Sequence, residues 1–124
     1  MSHYKSNLRD VEFNLFELFD RSSVLGSGPF AEVDTDTAKS ILVEVERLAR
    51  EDLAASFADA DRNPPTYDPD AKTVTMNPEF AKSYQAWMDS EWWRLQLPEE
   101  LGGQPAPSSL IWSLGEFILG STPP

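Results

Sequence analysis

The feature that most constrains this chain is an unbroken apolar stripe at helical spacing. Ala38, Ile41, Leu42, Val45, Leu48, Ala49, Leu53 and Phe57 follow one another mostly by steps that keep residues on one helix face. Neither Gly nor Pro interrupts positions 37–60, and Lys39, Glu46, Arg47, Arg50 and Glu51 fall on the other faces. The pattern predicts a single long amphipathic helix from Thr37 to Ala60, capped by Thr35 or Asp36. Such a helix cannot bury its stripe alone, so the fold must supply partners for it.

The rest of the sequence offers three. Asp10 is the expected cap of a short helix, Val11 to Phe19, with Glu12 adding charge to its first turn. Val11, Phe13, Leu15, Phe16, Leu18 and Phe19 make it apolar on most sides, which asks for burial on more than one face. Gly26 to Phe30 ("GSGPF") then breaks the chain. Beyond the long helix, Asn63-Pro64-Pro65 is a stop, because proline lacks an N–H and restricts its predecessor. Tyr67, a turn at Asp68 to Ala71 and an extended piece at Thr73 to Met76 allow a short two-strand ribbon near 66–76. Asn77-Pro78 reads as cap and first residue of a helix to Ser90, with Phe80, Tyr84, Trp87 and Met88 on one side. A last helix begins at Pro107 or Ser108, carries Leu110, Ile111, Leu114, Phe117 and Ile118, and has Gly120 as its stop. The expected class is all-α, about four helices with at most that ribbon, in one domain.

Between the last two helices stands "EWWRLQLPEELGGQPAPSS" (Glu91 to Ser109). Trp92, Trp93, Leu95 and Leu97 alternate into an apolar layer, and Pro98 ends an extended run. Gly102 and Gly103 permit backbone angles that other residues resist. Pro105 and Pro107 lead the chain into the last helix.

Composition narrows the chemistry. The 124 residues hold 21 acidic and 10 basic side chains, a net charge of −11, and no Lys or Arg follows Arg94. Nucleic acid and anionic membranes, which need clustered positive charge, are not the expected partners. There is no cysteine. That removes disulfides, thiolate catalysis and Cys-based metal sites, and fits a reducing, cytoplasmic setting. No signal peptide and no membrane span are expected, since no apolar run approaches ~18 residues. His3, the single histidine, lies at a terminus, where mobility is the expectation and no catalytic triad can be built around it. The acidic sets Asp34-Asp36, Glu51-Asp52, Asp59-Asp61, Asp68-Asp70 and Glu99-Glu100 read as caps and solvated faces. The tryptophans 87, 92, 93 and 112 read as packing in preference to stacking on a ligand. Residues by themselves thus indicate an acidic helical chain with no visible acid–base or nucleophile set.

Two stretches carry a resemblance. "SHYKSNLRDVEFNLFELF" (Ser2 to Phe19) is similar to the N-terminal extension of a bacterial subfamily of acyl-CoA dehydrogenases. "EWWRLQLPEELGG" (Glu91 to Gly103) resembles a segment further along the same proteins, and Asn63-Pro64-Pro65 falls where they have a similar turn. Glu91 and Gln96 depart from the pattern, each standing where the family often has glycine. The resemblance implies an extension over 1–33 and part of the N-terminal helical domain over 34–124. It implies a structural motif at Trp92, Trp93, Leu97, Pro98, Glu99, Glu100, Leu101, Gly102 and Gly103. The complete enzyme would be an FAD-dependent oxidoreductase of fatty-acid β-oxidation, turning an acyl-CoA into a trans-2-enoyl-CoA. Its flavin site and catalytic glutamate would lie in the middle and C-terminal domains, outside these residues. No catalytic, cofactor-binding or metal residue is therefore expected here, and the segment alone is expected to be truncated and inactive. The expected partners are the remaining domains or homo-oligomer contacts, with acyl-CoA bound only by the complete enzyme. Apolar surface should then stand exposed on the first helix, around Trp87 to Trp93 and on the last helix. The alternative is a free-standing helical module that binds a protein or a hydrophobic acyl ligand.

Overall fold

In a computed structural model, which describes residues 3–122, the long stripe builds the central rod. Ser2 and the closing prolines lie outside the described residues. α2 (Thr35–Leu48) begins the rod, a π-helical stretch (Ala49–Leu53) and a 3₁₀ turn (Ala54–Ser56) continue it, and α3 (Phe57–Arg62) ends it. The cap is Asp34, ahead of both residues expected to do the job. Its backbone is extended and its carboxylate accepts the Thr37 amide at 2.7 Å, whereas Thr35 and Asp36 are already helical. The π stretch widens the turn and shifts the phase of the stripe, so that Ala49, Leu53, Ala54 and Ser56 remain buried beyond Leu48. The hydroxyl of Ser83, far along the chain, donates to the Asp52 carbonyl within this stretch at 2.8 Å.

The first helix starts earlier than the sequence suggested. α1 (Leu8–Glu12) runs into a π-helical stretch (Phe13–Leu18). Asn7 caps it by accepting the Asp10 amide, which leaves Asp10 in the first turn, where its charge complements the helix N-terminus. Val11 and Leu15 face the core and Phe16 packs at its edge, while Phe13, Leu18 and Phe19 are exposed.

β1 (Thr66–Asp68) and β2 (Thr73–Thr75) form the expected antiparallel ribbon, with Tyr67 opposite Val74. The Asp68 carboxylate accepts the amides of Asp70 and Ala71 and so shapes the turn. α4 (Pro78–Ser90) opens as read, with Asn77 accepting the amides of Glu79 and Phe80. The same Asn77 donates to the Asp59 carboxylate and to the Asn63 carbonyl, tying the end of α3 to the start of α4. α5 (Ser108–Ser121) runs through Gly120, so that glycine is not its stop. Its role is spatial: a Cβ at 120 would come within 2.7 Å of the Tyr4 ring.

The described chain is all-α apart from the ribbon. α1, α4 and α5 lie against the rod, and Ile41, Leu42, Val45, Leu95, Leu110, Leu114 and Phe117 fill the space between. Val11, Leu15 and Val33 belong to this same cluster, so the N-terminal stretch shares one core with the rest.

Candidate functional site

The segment Glu91 to Ser109 is a closed turn. Trp92–Gln96 is a 3₁₀ helix rather than an extended run, and it buries Leu95 to 3% exposure. Trp92 packs at the core edge, and the half-buried Trp93 donates its indole N–H to the Met88 carbonyl at 3.3 Å. Leu97 and Pro98 are extended, and Glu99–Leu101 forms a second 3₁₀ turn with all three residues exposed. Gly102 has φ 79. Gly103 is required for a different reason, since a Cβ there would fall 2.0 Å from the Leu97 carbonyl oxygen. Sequence reading passed over Arg94, which holds the turn. Its Nε donates to the Gly102 carbonyl at 2.8 Å, and its backbone carbonyl accepts the Gln104 amide. The signal was available in its being the last basic side chain of the sequence. Glu99 and Glu100 are exposed to solvent.

Next to this turn, α4 and α5 leave an apolar groove. At one end is a cavity of about 490 Å³ walled by Phe57, Ala60, Pro64, Met76, Phe80 and Thr122. Phe80 and Thr122 also wall a second space of about 130 Å³, floored by Leu53 and flanked by Trp87 and Ile118. Trp87 and Ile118 continue into a third of about 40 Å³ beside Trp92, Leu95, Ile111 and Leu114. Asp61, at the first end, is the one charged residue lining these spaces among the described residues. Three of the polar side chains are committed elsewhere. Ser56 donates to the Leu53 carbonyl, Ser83 to the Asp52 carbonyl, and the Asn77 amide is used on both sides. A groove with mostly apolar walls and, among the described residues, no basic side chain lining it is suited to burying apolar surface.

Exposed apolar side chains extend this surface. Tyr84 and Met88 stand on α4, and Trp112 (75% exposed) and Leu119 (57%) stand on α5. Packing thus accounts for Trp87 and Trp92 but not for Trp112. His3 is not loose, because its ring stacks on Phe57 with centroids 3.9 Å apart. The acidic sets are dispersed: Asp34 caps α2, Asp59 meets Asn77, and Glu51 pairs with Arg47. Among the described residues, no group of three or more metal-ligating side chains comes together, and no helix is long and apolar enough to cross a membrane.

No protein-family model matches the chain. Over 123 residues, 99% of its length, it is 46% identical to the broad-specificity linear acyl-CoA dehydrogenase FadE5 of Mycobacterium tuberculosis. The match occupies 20% of that protein, so the chain spans about a fifth of the length of the curated relative it matches. The resemblance carried by the two motif stretches therefore extends over the whole chain, and it concerns one segment of a much longer dehydrogenase.

Proposed function

We propose that this chain is the N-terminal helical part of an FAD-dependent acyl-CoA dehydrogenase, the oxidoreductase that converts an acyl-CoA to a trans-2-enoyl-CoA in fatty-acid β-oxidation. The observation that carries the reading is identity running end to end with one segment of such an enzyme. Exposed apolar faces on α1, α4 and α5 support it, since surfaces of this kind seek cover from other parts of a protein. The residues present do not fit the flavin: among the described residues no Lys, Arg or His lines the groove to meet its phosphate, and the one charge there is the carboxylate of Asp61. On this reading the chain shapes and supports the enzyme, and the proton and hydride transfers belong to residues elsewhere in it. Its partners are the remaining domains and other copies of the enzyme, and its setting is the cytoplasm.

A chimera tests the reading. The matching fifth of the M. tuberculosis relative is replaced by this chain, and acyl-CoA-dependent reduction of an electron acceptor is followed with FAD present. Turnover at a rate near that of the parent is expected. A soluble, FAD-loaded chimera without turnover would overturn the proposal. The same exposed groove favours a second reading, a free-standing module for a protein or an acyl ligand, which saturable binding of an acyl-CoA by the purified chain would support.

A further inference from the structure

Residues 3–7 have no helix or strand of their own, yet they touch three separate elements. The His3 ring stacks on Phe57 at the start of α3, 3.9 Å between centroids and 23° between planes. Tyr4 lies on α5 at Gly120, the position where any side chain would collide with it. The Ser6 hydroxyl donates to the Glu46 carboxylate on α2, which also accepts Arg50 Nε. Burial, reinforced by Glu116 and Glu46, pushes the Tyr4 phenol up from its usual range, so it meets α5 as a neutral group.

Phe57 is where these contacts acquire a consequence. On one side it borders an open depression of about 410 Å³ with His3, Arg50 and Glu51. On the other it walls the large end of the groove, where α3 and the Pro64-Pro65 turn face the start of α4. An aromatic ring between two open spaces is held by whatever packs on its faces, and here one face is packed by His3. We propose that residues 3–7 act as a strap that holds Phe57 from outside and thereby sets the shape of the Phe57–Phe80 end of the groove. Whatever occupies the groove is then coupled to the N-terminal stretch without touching it. The inference rests on the contacts of this chain and stands independently of the dehydrogenase reading.

The test uses the apolar dye 1-anilinonaphthalene-8-sulfonate, titrated onto the full chain, with circular dichroism to confirm that helix content is kept. His3→Ala and Tyr4→Ala are each expected to change the dye's affinity by about threefold or more. In a Phe57→Ala background, or Phe57→Leu if that variant does not fold, His3→Ala is expected to change nothing. Unaltered affinity in both single variants overturns the proposal. So does a His3→Ala effect that persists undiminished when Phe57 is replaced.

Discussion

Glu91 ends α4 with φ 59, in the left-handed region where a side chain costs energy and glycine does not. It is one of the two positions where the resemblance to acyl-CoA dehydrogenases implies glycine. Its compensation is a 3.1 Å ion pair with Arg94 in an exposed setting, which contributes little. Glu91→Gly is expected to raise stability by about 0.5–1 kcal/mol, read as a higher denaturant midpoint with unchanged slope. Gln96, the other such position, lies within a 3₁₀ helix and needs no glycine. Gly103 is the opposite case from Glu91. Its amide donates to the Pro98 carbonyl at 3.0 Å while the Leu97 carbonyl crowds its Cα. Gly103→Ala should cost about 3 kcal/mol or prevent folding, because the neighbour in the way is backbone and cannot turn aside. The double glycine was legible as a turn from sequence, but the separate reasons for each glycine were not. A positive φ and a close backbone approach leave the same letter in the sequence.

Caps and clamps decide where the helices begin. The Asp34 carboxyl is held below its usual range by the Thr37 amide first and the Thr37 hydroxyl second. Folding therefore favours its ionised form. The stability it contributes is complete above the unfolded-state pKa and is lost as pH falls through the lowered folded value. Asp34→Ala should lower the melting temperature near neutral pH, with the gap to the parent chain closing below about pH 4 in a series of thermal melts. Asn77 joins two helices. Its oxygen caps α4 and its amide nitrogen reaches Asp59 at 2.8 Å and the Asn63 carbonyl at 3.1 Å. Asn77→Ala should cost about 1–2 kcal/mol by urea unfolding, since it removes a cap and the link from α4 to Asp59 and Asn63. The Asn-Pro pair announced the α4 cap in sequence, because that signal is local. The link to α3 is not local and had no signature. The caps Asp34 and Asn7 lie one to three positions ahead of the residues the sequence suggested for a related reason: each start offers more than one capping residue, and only the backbone geometry selects among them.

The whole molecule covers the stripe of α2 completely and leaves other apolar surface in the open. α5 carries Glu116 as its single charge, buries Leu110, Leu114 and Phe117, and presents Trp112 and Leu119 to solvent. A helix apolar on nearly every side is suited to burial all round. Trp112→Lys is expected to alter the stability of the isolated chain by under about 0.5 kcal/mol, because the ring contacts so little of it. The same substitution in the chimera with the M. tuberculosis relative should weaken assembly, seen as lower yield of soluble FAD-loaded enzyme. Unimpaired assembly would mean that α5 keeps its outer face open in the complete protein.

By itself the sequence determined the helical class, the central rod, the ribbon and the caps at Asn77-Pro78, because each rests on periodicity or on short-range backbone chemistry. Through its motif stretches it also pointed to the dehydrogenase segment. Only the tertiary structure decided that α4 and α5 part into a groove, that Phe57 stands between that groove and His3, and that Gly120 is small to admit Tyr4. Those outcomes depend on side chains far apart in the chain meeting across packed elements, and no local pattern encodes which residues will meet.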